Sequence, residues 1–280
     1  KPGDNPAACL HEMLAALRNG HPSGRVVLGV TRPEASHKNV CILFPGLGVQ
    51  YPGMGLSLKK CFTPAQRIFA RADLVGQRTF GAKISDLIDR RISRNGLAPE
   101  ATLTLSQFSN PAILTVSLAL LEILRSVGLK PNCTIGASLG EYGSLVSAGV
   151  LSFEDAVELV YEFGRLAVET TLASKMAAVL ADQETVEGVL AGVKDPVEIA
   201  NYNSQGQFVI TGTKRGVEQA VLDFNAKGIV AVPLRISVGY HCHLVNTCNR
   251  QFLPYLDRAS WRTPLLDVYS TVGESGLFPK

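Results

Sequence analysis

The pattern of apolar and polar positions predicts alternating strands and helices along most of the chain. Val40-Cys41-Ile42-Leu43-Phe44 runs apolar without alternation, as a central strand covered on both faces should. Residues 5–19 place Leu10, Met13, Leu14 and Leu17 on one side of an amphipathic helix, and Arg25 to Val30 reads as a short strand. Segments 63–78 and 82–90 look helical. Pro111 to Val127 predicts a long apolar helix opened by a proline and closed by Gly128. Pro131 to Ile135 predicts a strand, Tyr142 to Ala148 a helix, and Phe153 to Thr170 another helix. Strands alternating with helices indicate an α/β unit built on a largely parallel sheet.

The rhythm then changes. Strands are expected at Met176–Leu180, 197–203, 207–213 and 229–235, with helices at 183–191 and 215–226 between them. That order is βαββαβ, the split unit of ferredoxin-like domains. It is expected to form a small domain inserted near Leu172 and ending near Ile236, with a cleft at its junctions. Residues 246–258 then read as a helix and 265–270 as a strand. The expected domains are a linker-like segment 1–39, a core in two parts, 40–171 and 237–280, and the small subdomain 172–236.

Composition narrows the function classes. The 280 residues are 46% hydrophobic and 18% charged, as in a compact globular chain. A net charge of +3 with scattered Lys and Arg gives no basis for nucleic-acid binding. The sequence pattern shows no apolar run of transmembrane length and no signal peptide at the N-terminus, so a cytoplasmic protein is expected. Six cysteines without a CxxC pair read as buried thiols in a reducing compartment.

The candidate chemistry centres on Gly136-Ala137-Ser138-Leu139-Gly140-Glu141, between a predicted strand and a predicted helix. In that context the flanking glycines allow a sharp turn that exposes the serine hydroxyl beside a helix N-terminus. A serine needs a base to become a nucleophile. His11, His21 and His37 fall on surface elements, whereas His241 and His243 lie where the chain leaves the small domain. His241-Cys242-His243 also resembles a metal-ligand pair, but two-residue spacing without a further ligand gives zinc little support. Oxyanion donors are expected from the N–H of Leu139, after the serine, and of Leu47, in the glycine-rich loop after the first strand.

These segments resemble the malonyl-CoA:acyl-carrier-protein transacylase family, which includes the acyltransferase domains of polyketide synthases. Phe44 to Gly55 is similar to its FPGQGSQ…GMG opening, Gly136 to Glu141 to its GHSLGE motif, and Met176 to Val179 to its MAAV strand. Asn201 to Ser204 is similar to its NxNS segment, and Ser237 to Cys242 to SVPxHS or SVPSHC. The resemblance implies an α/β-hydrolase-like main domain with the ferredoxin-like insertion. It also implies a ping-pong acyl transfer with Ser138 as nucleophile and His241 as base. A backbone carbonyl around Tyr269 to Thr271 would orient that histidine. Acyl-CoA or acyl-phosphopantetheine would be the substrate and acyl carrier protein the partner, with no bound cofactor and no metal. Neighbouring megasynthase domains are a further expected partner.

Departures from the family pattern bear on the substrate. Ala137 stands where the family has His, Leu47 where it has Gln, and Asn110 where it has a pocket Gln. In Val160-Tyr161-Glu162-Phe163-Gly164-Arg165, Phe163 stands where the family has the Arg that pairs with the malonyl carboxylate. Ala137, Phe163, Asn110, Asn203 and Tyr240 are the expected substrate-pocket residues. The expected donor is therefore a neutral acyl thioester. Hydrolysis of acyl-carrier-protein thioesters, a malonyl-specific transacylase and a non-catalytic docking domain remain as alternatives.

Overall fold

A computed structural model describes residues 40–92, 96–171 and 173–271; the helix and strand expected at 5–19 and 25–30 lie outside these residues. In order, the described elements are β1 (Cys41–Phe44), α1 (Leu56–Cys61), α2 (Thr63–Phe80), α3 (Ile84–Ile88), α4 (Pro99–Thr102), α5 (Ser106–Ser126), β2 (Cys133–Gly136), α6 (Gly140–Ser147) and α7 (Phe153–Thr170). They continue with β3 (Ser174–Val179), α8 (Gln183–Leu190), β4 (Val197–Ser204), β5 (Gln207–Thr213), α9 (Lys214–Ala226), β6 (Ala231–Pro233), a 3-10 turn at His243–Val245, α10 (Asn246–Leu256) and β7 (Asp267–Ser270). The chain divides into two compact units. The first takes residues up to Leu103, Asn110–Val160 and the chain from Ala259 onward; the second takes Thr104–Ser109 and Tyr161–Arg258.

The first unit carries a parallel sheet in the order β1-β2-β7. Ile42 and Phe44 face a core that includes Phe69, Ile84, Ile113, Leu118, Leu121 and Val157. Expectation and structure part at β1. It is an edge strand of the described sheet, not a central one, and Leu43 on its other face is 74% exposed. Cys41 and Leu43 share that face with Tyr269, so the apolar run of β1 records one buried face rather than two.

Helix α5 also differs from its predicted start. It begins at Ser106, so Pro111 lies inside it. As the sixth residue, Pro111 removes the bond that an N–H there would make to Gln107 O, and the preceding turn is held within the second unit. There the Ser106 N–H donates to Ser237 Oγ at 3.2 Å, and α7 presents Gly164, where a Cβ would lie 2.6 Å from Gln107 N. This helix is long and apolar enough to cross a membrane by composition, contrary to the expectation from sequence. Its Ile113, Leu114, Leu118, Leu121 and Ile123 instead fill the first unit's core.

The second unit holds an antiparallel sheet in the order β4-β5-β3-β6. Val179, Phe208, Ile210 and Ala231 from its strands pack with Val186 of α8 and Val217, Ala220 and Phe224 of α9. Both helices start on side-chain caps: Asp182 Oδ1 accepts from Thr185 N at 2.8 Å, and Thr213 Oγ1 from Gly216 N at 3.1 Å. β4 bulges between Tyr202 and Ser204, which places Asn203 out of register and exposed. Among the described cysteines only Cys242 and Cys248 are buried; Cys41 and Cys61 are exposed, against the expectation of buried thiols. Cys9 lies outside the described residues.

Candidate active site

In the first unit, β1 and β2 run parallel in register, Phe44 opposite Gly136, and both strands end in tight loops. Their two loops are packed to backbone contact. The Ala137 N–H donates to Phe44 O at 3.1 Å, and a Cβ on Gly46 would lie 2.8 Å from Ala137 O. A Cβ on Gly136 would fall 2.1 Å from Gly140 C, and one on Gly140 would fall 2.2 Å from Phe44 O. Only glycine fits at these two positions. Gly136→Ala is expected to destabilise the fold by about 1–3 kcal/mol or to shift the turn, measured as a lowered urea midpoint.

Ser138 sits at the apex of the turn with φ 54°, in the left-handed region. A non-glycine residue held there carries strain of about 1–3 kcal/mol and marks functional turns. Its carbonyl accepts from Glu141 N at 2.9 Å, and α6 begins two residues on. Leu139 is buried and its backbone N–H, like that of Leu47, donates to no acceptor among the described residues. Leu139 follows Ser138 in the serine turn, and Leu47 lies on the loop after β1 that packs against that turn through Gly46. Ala137 is exposed at the same turn. Asn110, only 2% exposed on α5, donates from Nδ2 to Val160 O at 3.1 Å; its Oδ1 is buried without a partner among the described residues.

The same turn carries a carboxylate to which the sequence pattern assigns no role. Glu141 accepts from Ser270 Oγ at 3.1 Å on each oxygen, from Thr271 N at 3.1 Å and from Thr271 Oγ1 at 2.8 Å.

The second unit holds the other candidates. His241 has φ 60° and is exposed, at the end of a turn whose preceding residues are fixed. Gly239 N donates to Ser174 Oγ at 2.7 Å, Cys242 Sγ donates to Gly239 O at 3.5 Å, and Thr211 Oγ1 donates to Cys242 Sγ at 3.7 Å. His243 is engaged elsewhere, with its Nδ1 3.0 Å from Glu198 Oε1, an exposed ion pair when the ring is protonated. No cluster of three metal-ligating side chains occurs among the described residues.

Phe163 stands on α7 in an aromatic group. Its ring is stacked with Tyr240 at 5.8 Å between centroids and meets Phe252 edge-on at 5.0 Å. The sequence motifs point neither to Phe252 nor to the buried Cys248 beside it, whose thiol donates to Phe163 O at 3.7 Å. Their spacing on α10, four residues apart, is the signal that could have found them. Burial pushes the Cys248 thiol up to about 11. Alkylation of Cys248 in the folded protein is therefore expected to be slow at neutral pH and to accelerate as the pH rises toward 11, followed by peptide mass mapping.

Arg165, two residues on from Phe163, is engaged by its own neighbours. Its guanidinium donates to Glu162 at 2.9 Å, to both oxygens of Glu169 at 2.8–2.9 Å and to Tyr255 Oη at 3.3 Å. Burial works against its charge, but the hydrogen bonds it donates to Glu162 and Glu169 outweigh it and hold its pKa above the ordinary arginine value. Two carboxylates already satisfy this side chain.

Residues 41–275 match the Acyl transferase domain family. This chain belongs to that family. As an acyltransferase it is 38% identical over 240 residues to the malonyl CoA-acyl carrier protein transacylase of Bacillus subtilis (strain 168), covering 83% of this chain and 72% of that one. The enzyme of the same name from Staphylococcus aureus (strain MSSA476) is 34% identical over 245 residues, covering 84% and 74%. Among solved structures, FabD from Acinetobacter baumannii aligns with a TM-score of 0.74 and 31% identity over 86% of this chain and 74% of that one. A malonyl-transacylase in complex with its type II PKS acyl-carrier protein aligns with a TM-score of 0.73 and 30% identity, covering 84% and 75%. The acyltransferase is thus a mixed α/β enzyme with a parallel sheet and a separate antiparallel sheet, as its match to the solved transacylase structures supports.

Proposed function

We propose that this acyltransferase moves an acyl group without a free carboxylate from a thioester onto Ser138, and from there onto the phosphopantetheine thiol of an acyl carrier protein. The observation that carries the choice of donor is Phe163. By the sequence resemblance it stands where the family has its carboxylate-binding Arg; it stacks with Tyr240, meets Phe252 edge-on, and has as its neighbour an Arg165 held by Glu162 and Glu169. A malonyl carboxylate brought against that ring loses hydration and gains no partner, a cost of several kcal/mol. A neutral acyl chain gains apolar contact there. Phe163, Tyr240, Ala137, Asn110 and Asn203 are the residues assigned to the substrate pocket.

The cycle runs in two halves. His241 takes the Ser138 proton as the hydroxyl oxygen attacks the thioester carbonyl, and the N–H groups of Leu47 and Leu139 receive the oxyanion. The tetrahedral intermediate collapses, the C–S bond breaks, and His241 returns the proton to the leaving thiol. The carrier thiol then attacks the acyl-serine ester through the same steps in reverse, regenerating Ser138. Acyl-CoA or acyl-phosphopantetheine supplies the acyl group, Ser138 and His241 the enzyme's reacting groups and the carrier the acceptor thiol, so the cycle calls on no bound cofactor.

The carrier as acceptor is supported by the names of the curated relatives and by the structural neighbour solved with its carrier. A place beside other domains of a polyketide megasynthase is part of the same proposal. The strand, serine turn and helix support an α/β-hydrolase-like core over 40–171 and 237–280. The order β4-β5-β3-β6 supports a ferredoxin-like subdomain over 172–236. The exposed thiols of Cys41 and Cys61 fit a reducing, cytoplasmic setting.

The test loads the enzyme with an acetyl or longer neutral acyl thioester and follows its intact mass, then adds carrier protein. A Ser138-dependent adduct that persists in buffer and discharges onto the carrier thiol is the expected result. Rapid release of free acid without carrier would replace transfer by thioester hydrolysis.

A further inference from the structure

Ser138 is held in a strained conformation, and the first unit shows a closed circuit of contacts around it. The Glu141 N–H donates to the Ser138 carbonyl at 2.9 Å. The Glu141 carboxylate is tied to the end of β7 by four contacts from three donors: the Ser270 hydroxyl, shared between both carboxylate oxygens, and the Thr271 N–H and hydroxyl. Ser270 pairs in register with Gly136, the last residue of β2, and Gly136 leads through Ala137 back to Ser138. Each link restrains the turn from a different side. A left-handed serine persists only where its surroundings over-determine it, and the side-chain link in this ring is Glu141.

We propose that Glu141 is a positioning residue for acyl transfer: by clamping the end of β7 to the first turn of α6, it holds the Ser138 hydroxyl and the Leu139 N–H in their reactive arrangement. This rests on the reading of Ser138 as the nucleophile. The carboxylate also suits its place, since negative charge is favoured in the first turn of a helix. Its three donors, the Ser270 hydroxyl and the Thr271 N–H and hydroxyl, absorb that charge beside a turn where an oxyanion is to form. The clamp is a matter of shape. Three of the four bonds converge on one carboxylate oxygen, Oε1, and an amide oxygen can keep them. The fourth faces the Ser270 hydroxyl, which can rotate to accept from an amide N–H.

The experiment is single-turnover acylation of the intact enzyme by a neutral acyl thioester, read as intact mass against time. Its amplitude reports the fraction of competent enzyme, and its rate constant reports how well that fraction is arranged. Glu141→Ala is expected to lower the rate constant about 10- to 100-fold with the amplitude and the KM for thioester kept. Glu141→Gln is expected to stay within about threefold of the parent. Ser270→Ala and Thr271→Val, which remove part of the clamp and guard against misfolding of Glu141→Ala, are expected to give intermediate rates. Either should add less in the Glu141→Ala background than alone. A Glu141→Ala enzyme with a full rate constant overturns the proposal, as does a loss confined to the amplitude. Glu141→Gln as slow as Glu141→Ala overturns it too, because charge rather than the clamp would then be the cause. If Ser138→Ala still acquires the adduct, the nucleophile assignment fails instead, and the two failures are separable.

Discussion

Replacing His241 by Ala is expected to slow formation of the Ser138 adduct by about 10²- to 10⁴-fold, the range for loss of a general base. The remaining rate should come from the two oxyanion donors and from substrate binding, so the KM for the acyl thioester should change little. A serine hydroxyl at neutral pH has almost no alkoxide character, and nothing else on the proposed reaction path removes its proton. His243→Ala serves as the contrast. Its ring is paired with Glu198 on the surface, and its loss should leave the acylation rate within about twofold, the range of a surface change. Stopped-flow release of the thiol, with the intact mass as a check on the adduct, separates the two variants. Equal loss in both would remove His241 from the mechanism.

Phe163→Arg is expected to raise malonyl loading by roughly 10- to 100-fold and to depress loading of a neutral acyl group. The new guanidinium would offer the carboxylate a charged partner, worth more than one factor of ten at about 1.4 kcal/mol each. The direction follows from the surroundings. The Tyr240 ring that now stacks on Phe163 and the Phe252 ring that meets it edge-on can flank a guanidinium, whereas Arg165 is already engaged by Glu162 and Glu169. Phe163→Leu guards against a misfolded arginine variant, because it keeps the site apolar and should retain neutral loading. Malonyl loading unchanged in a folded Phe163→Arg protein would remove Phe163 from the donor pocket.

The serine turn was legible in the sequence because its glycines are forced by backbone contact. Gly136 and Gly140 have no room for a Cβ, and that requirement leaves a fixed spacing around Ser138 whatever the rest of the chain does. The antiparallel unit was legible because its short apolar runs are separated by helices that carry side-chain caps at Asp182 and Thr213. Contacts made across long separations were not. The partners of Glu141 lie 129 and 130 residues away, and no local pattern joins them. The start of α5 depends on Ser237 in the same way. β1 misled for a different reason. An apolar run predicts two buried faces, but Leu43 and Cys41 lie open on one of them, and hydrophobicity alone does not say which side is covered.

One competition measures the enzyme's choice of donor. The enzyme is incubated briefly with an equimolar mixture of malonyl-, acetyl- and longer-chain acyl-CoA, and its intact mass is taken beside that of Ser138→Ala. The expected spectrum shows a neutral acyl adduct on the parent protein, no malonyl adduct, and no adduct on Ser138→Ala. A dominant malonyl adduct on Ser138 would contradict the account of Phe163 and return the enzyme to the donor named for its relatives.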